Sequence, residues 1–520
     1  MEPGGLESAV LQLLSSLFWE VSIDDSPPCG STQHTFLLLL KHPLSGCFCY
    51  AEEAMKTFFF YDLETSGLNS RLGRVMQFAG QRTDMDLRPI GEPYNVLVKL
   101  SDDILPSPAA VMVTGITPQM TLTDGIEERE FAKLLVDDVF TPETTAVGFN
   151  SVRFDDEFVR HTLWRNFHDP YEWAWADGRS RWDLLDVVRM TRALRPDGIE
   201  WPVSDDGKPV NKLELITAAN GLDHKKAHDA LSDVEALIDV ARLIKSKQPK
   251  LFDYLYELRG KKAVEKLVNL DQPQPFVYAS GRYGSEYDFT TVAFPVVPGS
   301  KPGAVVVYDL RYDPAAWAGL SLDDVKLRLF GTREQLGDNQ RLPFKELSYN
   351  KCPAVAPLGV LDDAAQQRLG LSIETIAAHQ AALTQATDLL YKVREAYKTR
   401  EAYGAAGDVE ERLYDGFLNE KDRIKMAAVR AADADSLADF HPEFSDERLP
   451  ELLLRYKARQ FPTSLSDDER IRWEAYRSAR LQAALPGYVK ELQTLAAAGA
   501  DSYLLEELQL WAESIMPASD

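Results

Sequence analysis

Apolar and polar positions alternate with two different periods along the chain, and the change of period divides it into regions. From Met55 to about Lys247, short apolar runs alternate with longer stretches of helical spacing, an order typical of an α/β domain. The predicted strands of this region cover residues 57–61, 75–79, 94–98 and 145–149. Its predicted helices cover residues 128–139, 155–166, 182–193 and 228–244.

Two further regions follow. After about Pro249, alternating apolar runs predict the short strands of a small β-rich domain, at residues 276–279, 291–297 and 304–310. After about Ser372, charged stretches with helical spacing predict helices at residues 376–403, 420–432, 466–484 and 503–514. We therefore expect three domains of different class.

The composition fits a multidomain globular protein. The chain has 520 residues, of which 45% are apolar and 10% aromatic, enough for several hydrophobic cores. No apolar run approaches the roughly 18 residues of a membrane span, and the N-terminus lacks the basic start of a secretory signal. Four cysteines are too few for a disulfide framework, which indicates the reducing cytoplasm.

The net charge of −24 argues against a protein whose whole surface attracts nucleic acid. The negative charge is nevertheless compatible with a nuclease. Metal ions can bridge the carboxylates of a catalytic site, and one basic groove can coexist with acidic outer faces.

Residues 1–54 differ from the rest of the chain. They hold Cys29, Cys47 and Cys49, with His34 and His42 among them. The spacing is not that of a zinc site, which usually has paired cysteines and paired histidines, so zinc binding is disfavoured. We expect an N-terminal extension outside the first domain, either disordered or the result of a start set too far upstream.

The most informative motif is an aromatic run that ends in two acids, Asp62 and Glu64. Residues two apart on a strand project from the same face, so these carboxylates should lie side by side. Such a pair is costly unless a cation lies between them, and hard divalent ions bind carboxylate oxygens. Taken alone, however, the pair is more often two solvated acids at a strand end.

Two further motifs change that balance. Asn150 follows another strand-like run, and Asp155 lies at the start of the next predicted helix. Acids are common in the first turn of a helix, but that preference does not account for the Gly-Phe-Asn-x-x-x-Phe-Asp string. His228 precedes Asp233 by five residues at the start of a third helix.

Together these motifs resemble the DEDDh branch of the 3′→5′ exonucleases, in the ribonuclease H-like superfamily. The three motifs stand in the expected order as Asp62-x-Glu64, Asn150-x₄-Asp155 and His228-x₄-Asp233. The resemblance implies a central mixed sheet flanked by helices. It also implies that the four acids and His228 form the catalytic site.

The chemistry of that site follows from charge. Asp62, Glu64, Asp155 and Asp233 would hold two Mg²⁺ ions, with Mn²⁺ as an alternative, at the roughly 4 Å spacing of two-metal phosphoryl transfer. Four carboxylates and two divalent ions sum to zero, so the site can accept a phosphate. His228 can take a proton from the attacking water at neutral pH.

The resemblance becomes more specific along the chain. Several segments are similar to those of the bacterial exodeoxyribonuclease I family, which degrades single-stranded DNA from its 3′ end. These segments are residues 153–157, 165–175, 180–187, 194–202, 248–254, 350–353, 414–417 and 455–462. The similarity spans Met55 to the C-terminus. It implies a DEDDh exonuclease domain over 55–248, an SH3-like domain over 249–402 and an all-α C-terminal domain over 403–520.

The same resemblance implies how the substrate binds. Family positions that contact DNA correspond to Arg160, Tyr171, Trp175 and Arg189, and Glu64 and Lys212 correspond to substrate-binding residues. Aromatic rings beside arginines suit a single strand, because unpaired bases stack and phosphates pair with cations. Where the family often has arginine, Lys212 keeps the charge but loses the bidentate fork.

Three basic residues of the second domain, Lys261, Lys262 and Arg282, are candidates for the channel wall, with a solvated basic face as the alternative. Trp182, beside Leu184 and Leu185 in a predicted helix, is expected in the hydrophobic core.

The family also implies a partner. Arg195 and Tyr254 correspond to residues that dock the acidic, apolar C-terminal tail of the single-strand-binding protein. A basic group for the terminal carboxylates and an aromatic ring for the apolar tip fit that chemistry. We expect a monomeric cytoplasmic hydrolase of DNA repair and recombination that does not bind membranes.

Two alternatives remain open at this point. One is an RNA-trimming 3′→5′ exonuclease with the same acids, although such enzymes are short single domains. The other is a catalytically inactive adaptor that binds single strands, which the presence of all five active-site residues disfavours.

Overall fold

The computed structural model describes residues 55–222, 229–400 and 407–517. The N-terminal extension predicted over residues 1–54 lies outside the described residues. So do His228 and the predicted domain boundary after residue 402.

A mixed five-stranded sheet forms the centre of the first region. Its strands are β1 (Thr57–Thr65), β2 (Val75–Thr83), β3 (Tyr94–Leu97), β4 (Thr144–Gly148) and β5 (Ser180–Asp183). They lie in the order β3-β2-β1-β4-β5; β1 pairs antiparallel with β2 and parallel with β4, and β4 pairs parallel with β5. The mixed sheet expected from the resemblance is confirmed.

Within the part of the chain that the structure describes, seven α-helices accompany this sheet. They are α1 (Pro108–Thr114), α2 (Pro118–Asp124), α3 (Glu128–Leu134), α4 (Asp155–Arg165), α5 (Leu184–Leu194), α6 (Leu213–Ala219) and α7 (Ala230–Lys247). The predicted helix over 182–193 is wrong at its start, because Trp182 pairs with Val147 in the sheet and Asp183 caps the helix that begins at Leu184. Trp182 is buried in the core, as expected, but on a strand.

Alternate residues of β1 face two different cores. Phe58 and Phe60 pack in the cluster that contains Trp182 and the buried face of α7. Phe59 and Tyr61 pack in a second cluster on the opposite face. Both clusters are built by the two-residue period of a strand with apolar residues on both sides.

The second region is a five-stranded antiparallel sheet with helices around it. Its strands, in the order β10-β6-β7-β8-β9, are β6 (Phe276–Ala279), β7 (Thr290–Pro298), β8 (Ala304–Asp309), β9 (Phe344–Ser348) and β10 (Ala354–Pro357). The helices are α8 (Pro249–Glu257), α9 (Lys261–Leu267), α10 (Leu322–Phe330), α11 (Arg333–Leu336), α12 (Asp363–Leu369), α13 (Ile373–Gln385) and α14 (Thr387–Lys398). The single helix predicted over 376–403 is therefore two helices, interrupted at Ala386.

The third region is helical. It contains α15 (Glu420–Ala431), α16 (Ala434–Ala438), α17 (Leu449–Gln460), α18 (Asp467–Ala497) and α19 (Ser502–Ile515). Trp164 and Phe167 of the first region are buried in its core, so the helical region packs directly on the α/β region. Among the described helices, none has the length and apolar character needed to cross a lipid bilayer.

Buried ion pairs also join these two regions. Glu410, in a short 3₁₀ turn, accepts from Arg74 at 3.0 Å and pairs with Arg459 at 2.6 Å. Asp103 pairs with Arg459 at 2.7 Å and with Arg480 at 3.2 Å. Burial alone would raise the pKa of Glu410, but the arginines around it hold that pKa well below its usual range. We call these five side chains the buried ionic network.

Candidate active site

The site begins where β1 extends past its parallel neighbour. β1 pairs with β4 only through Thr57–Phe60, whereas its pairing with β2 continues to the strand end. Asp62 and Glu64 lie in this extension, and both are half-buried. Because they keep the strand alternation, they project from the same face as Phe58 and Phe60, toward α7.

The first turn of α7 supplies a third acid to the same place. Asp62, Glu64 and Asp233 each offer a carboxylate oxygen, and these three oxygens lie within 4.8 Å of one another. The structure therefore brings together three of the four predicted metal ligands, from two elements that are about 170 residues apart in the chain. His228, the predicted base, lies outside the described residues.

Asp155, the fourth predicted ligand, is the first residue of α4 and is buried. The chain reaches it from β4 through a tight turn in which Asn150 takes the left-handed conformation, with φ of 65°. Gly148 makes this turn possible, because a Cβ atom there would lie 2.7 Å from the Oγ atom of Ser151. Asp155 does not belong to the group of three, but its charge reaches both Asp62 and Glu64.

The acids raise one another's pKa. Burial is the largest cause for Asp62, whose pKa lies well above its usual range, followed by the charges of Asp155, Glu64 and Asp233. Burial and then Asp233 raise the pKa of Glu64 to about 8. Carboxylates in this arrangement are stable in their ionised form only with a cation between them, so the donor set fits a hard divalent ion.

A buried aspartate holds the turn that leads to Asp155. Asp183, at the end of β5, accepts hydrogen bonds from the backbone N–H groups of Asn150 at 2.9 Å, Leu185 at 3.0 Å and Val152 at 3.3 Å. One carboxylate therefore links the end of β5, the start of α5 and the turn before α4.

The neighbour of Asp155 is held separately. Asp156 is buried, accepts a hydrogen bond from the hydroxyl of Tyr61 at 2.6 Å and forms an ion pair with Arg181. Arg181 also donates to the backbone carbonyl of Asn350 at 2.8 Å. The start of α4 is thereby tied to β1, to β5 and to the second region.

An aromatic and basic surface lies along α4 and the helical region. Arg160 pairs with Glu157 at 2.8 Å and donates to the hydroxyl of Tyr414 at 3.4 Å. The ring of Tyr171 lies 6.2 Å from that of Tyr414 and 6.1 Å from that of Phe417. Phe417 is 89% exposed. We call Arg160, Tyr171, Tyr414 and Phe417 the aromatic surface.

The other predicted DNA-binding residues lie at separate places. Trp175 is 67% exposed. Arg189 pairs with Asp186 at 2.6 Å, and the exposed Lys212 lies 3.8 Å from Glu214. Lys261, Lys262 and Arg282 are exposed on the second region.

The predicted partner-binding residues differ in their availability. Arg195 forms an ion pair with Asp362 at 3.1 Å and donates to the backbone carbonyls of Leu194 and Val360. Tyr254, on α8, is half-buried, and burial raises its pKa to about 12. Because Arg195 is already paired with Asp362, an acidic ligand of Arg195 has to compete with that carboxylate.

Several of these residues were not assigned a role from the sequence. Asp183 and Asp156 look like ordinary acids near helix starts, and only their hydrogen bonds distinguish them. The contact of Tyr414 with Arg160 joins residues 254 positions apart, so no local pattern predicts it. The Tyr-x-Gly-Phe segment at 414–417 was a usable signal, since it belongs to the family resemblance.

Three family models match the chain. The model described as Exonuclease matches residues 59–241, the Exonuclease I SH3-like domain matches residues 259–399, and the Exonuclease I C-terminal domain matches residues 407–515.

Individual proteins also match most of the chain. An exodeoxyribonuclease I of Haemophilus influenzae is 40% identical over 449 residues, which are 86% of this chain and 95% of that protein. A crystal structure of Escherichia coli exonuclease I with a dA16 oligonucleotide has a TM-score of 0.86 and 39% identity, and covers 89% of this chain and all of that one. A zinc-bound complex of the same enzyme with single-stranded DNA has a TM-score of 0.85 and 37% identity, with the same coverage.

Proposed function

The chain belongs to the exodeoxyribonuclease I family, and from this premise we propose that it degrades single-stranded DNA in the 3′→5′ direction to 5′-mononucleotides at the Asp62 site. The observation that supports the site is the convergence of carboxylate oxygens from Asp62, Glu64 and Asp233 within 4.8 Å. The RNA-trimming and inactive-adaptor alternatives are not favoured, since the relatives named above are exodeoxyribonucleases.

Asp62, Glu64, Asp155 and Asp233 are the residues that would hold Mg²⁺. Bound Mg²⁺ would lower the pKa of a water molecule and offset the negative charge of the phosphate. His228 would accept the proton of that water. The bond between phosphorus and the 3′ oxygen breaks, so the shortened strand keeps a 3′-hydroxyl and the released nucleotide carries a 5′-phosphate.

The aromatic surface would hold the strand on its way to this site. Phe417 and Trp175 expose ring faces on which unpaired bases can stack. Arg160, which donates to the hydroxyl of Tyr414, would pair with a phosphate. Arg189, Lys212 and Lys261 would add further phosphate contacts.

The same premise suggests a protein partner and a setting. Arg195 and Tyr254 would dock the acidic C-terminal tail of a single-strand-binding protein, with Arg195 exchanging Asp362 for a terminal carboxylate. We propose that the enzyme acts as a monomer in the cytoplasm.

The test is digestion of one single-stranded DNA oligonucleotide labelled at either its 3′ or its 5′ end, with Mg²⁺ or with EDTA. With Mg²⁺, the 3′ label should appear at once as a mononucleotide, while the 5′ label should persist on shortening strands. EDTA should stop release. A duplex and an RNA of the same sequence serve as controls, and faster loss of the RNA would contradict the proposal.

Asp62→Asn is the matched variant, because it keeps the size of the side chain and removes its charge. We expect cleavage to fall by at least about 10³-fold, the scale of a lost electrostatic contribution to the transition state. Binding of the single strand should be largely retained. Activity within tenfold of the unmodified enzyme would show that Asp62 is not a metal ligand.

A further inference from the structure

Three buried side chains in a row connect the neighbours of two proposed metal ligands. Tyr61 directly precedes Asp62 on β1, and Asp156 directly follows Asp155 on α4. The hydroxyl of Tyr61 donates to one carboxylate oxygen of Asp156 at 2.6 Å, and the guanidinium of Arg181 pairs with the other oxygen. These contacts therefore hold the start of α4 against the strand that carries Asp62.

The start of α4 depends on them because this helix has no side-chain cap. Its N-cap residue, Phe154, offers no side-chain acceptor for the N–H groups of the first turn. Asp155 lies outside the group of three carboxylates, so its distance from them depends on where α4 begins. Asp183 holds the turn before the helix, whereas Asp156 holds the helix itself.

The loop between β9 and β10 holds the other end of this row. Arg181 donates from its guanidinium to the backbone carbonyl of Asn350 at 2.8 Å. The thiol of Cys352 donates to the backbone carbonyl of Arg181 at 3.2 Å. Burial raises the pKa of this thiol to about 12, so it keeps its proton and remains a donor. The second region thus contacts both the side chain and the backbone of Arg181.

Stability alone is a weak reason for this arrangement. Tyr61, Asp156 and Arg181 are each at most 8% exposed. The cost of burying an ion pair offsets much of its Coulomb attraction, and apolar side chains of similar size often pack as well in its place. A carboxylate held by a donor from β1 and another from β5 adds direction. Contacts of this kind behind a metal ligand fix its orientation.

We propose that Tyr61, Asp156 and Arg181 position Asp155 relative to Asp62 for binding of the divalent ion, and that the loop between β9 and β10 holds Arg181 in place. The inference rests on the proposed function, because it takes Asp62 and Asp155 as metal ligands. Through this loop, the second region influences how tightly the metal ion binds.

The experiment measures the binding of Mn²⁺ alone to the full chain by titration calorimetry, without DNA. Tyr61→Phe removes one hydroxyl and keeps the ring. Arg181→Lys keeps the charge but lacks the guanidinium fork that reaches both Asp156 and the carbonyl of Asn350. We expect each variant to bind Mn²⁺ about tenfold more weakly. With Mg²⁺ and oligo(dT), kcat should fall by about 10- to 100-fold while KM stays unchanged.

Cys352 tests the contribution of the loop. Cys352→Ala removes the S–H donor, whereas Cys352→Ser keeps a donor at the same place. We expect Cys352→Ala to bind Mn²⁺ about threefold more weakly, the scale of one weak hydrogen bond. The loss should be smaller for Cys352→Ser.

Two matched controls carry the same changes away from the acids. Tyr488 is buried and donates to the backbone carbonyl of Leu508 at 2.8 Å. Arg192 is buried and pairs with Asp288 at 3.0 Å, so it joins the same two regions as Arg181. Tyr488→Phe and Arg192→Lys should lower the melting temperature and leave the affinity for Mn²⁺ unchanged.

Two results would overturn the proposal. If Tyr61→Phe and Arg181→Lys lower only the melting temperature, as the controls do, these side chains serve stability alone. If Arg181→Lys does not fold, Tyr61→Phe decides, and an unchanged affinity for Mn²⁺ in that variant contradicts the proposal. Release of the 3′ label by the unmodified enzyme tests the proposed function separately. An unmodified enzyme that binds Mn²⁺ but releases no label contradicts that function, so the two failures are distinguishable.

Discussion

The ionisation of individual carboxyl groups determines how strongly this site binds a metal ion. Without a cation, burial first, and then Asp233 and Asp229, raise the pKa of Glu64 to about 8. A carboxyl group whose pKa is higher in the folded than in the unfolded chain is protonated on folding. Its ionisation therefore destabilises the metal-free protein as the pH rises from about 4.5 to about 8.

Mg²⁺ binds the ionised carboxylates and so releases protons. We expect the rise in melting temperature caused by saturating Mg²⁺ to be larger at about pH 8 than at about pH 6. Thermal melts with and without Mg²⁺ at each pH measure this difference. Glu64→Gln has no ionisable group at this position, so in this variant the rise in melting temperature caused by Mg²⁺ should depend less on pH. A stabilisation that is equal at both pH values would contradict the raised pKa.

A second residue-scale prediction concerns Asp362, which pairs with Arg195 and caps α12 by accepting from the N–H group of Ala365 at 2.8 Å. Asp362→Asn keeps the capping oxygen and removes the charge. We expect the affinity for a peptide with an acidic sequence and an apolar C-terminal tip to rise about two- to fivefold, the scale of an exposed ion pair. Titration calorimetry measures it, with Asp363→Asn as the control; an unchanged affinity would place the peptide away from Arg195.

At the scale of elements, the site depends on three element ends that meet. β1 delivers two acids by its two-residue period, while α4 and α7 each begin with an acid in the first turn. The turn between β4 and α4 contains Asn150 in the left-handed conformation, and the side chain of Asp183 fixes this turn.

Asp183→Asn tests that connection. An amide offers one acceptor oxygen where the carboxylate offers two, so one N–H group of the turn loses its partner. We expect kcat to fall by roughly 10²-fold, the effect of a small misplacement of a catalytic group, with little change in KM for single-stranded DNA. The Mg²⁺ concentration for half-maximal activity should rise. Asp239→Asn on α7 is the control, and an unchanged kcat would show that Asp183 serves only to cap α5.

The local patterns explain which elements were predictable. The Asp-x-Glu strand follows directly from its period, and the three motifs put Asp155 and Asp233 at helix starts, where the structure has them. β5 was missed because Trp182 and Asp183 precede a helix with apolar spacing, and only pairing with β4 makes them a strand. The interruption at Ala386 has no local signal, since the residues around it suit a helix.

Contacts between distant segments were beyond the sequence. Lys345 on β9 donates to the hydroxyls of Tyr278 on β6 and of Ser280 rather than to acids, and the Arg195–Asp362 pair joins residues 167 positions apart. The family resemblance supplied the domain classes, but it could not say that Arg195 already has an acidic neighbour.

At the scale of the whole molecule, the buried ionic network fastens the helical region to the α/β region. Glu410 and Asp103 come from different regions, and both contact Arg459. Removing one acid leaves the buried arginine charges with fewer carboxylate partners, which costs more than the loss of an exposed pair.

We expect Glu410→Gln to lower the free energy of unfolding by about 3–5 kcal/mol, because Arg74 and Arg459 keep their charges in a buried site. Urea unfolding followed by tryptophan fluorescence measures the change. Glu506→Gln, at an exposed position of α19, should have no effect. A loss below about 1 kcal/mol would mean that water reaches the network and screens it.

Heating acts differently on this network and on the apolar cores. The hydration of charged groups becomes less favourable as the temperature rises, so burying Glu410 with Arg74 and Arg459 costs less in hot water than in cold. The stabilisation from burying apolar side chains does not increase in the same way with temperature. The interface between the two regions therefore weakens less on warming than the cores on either side of it, and the regions stay joined for as long as each keeps its own fold.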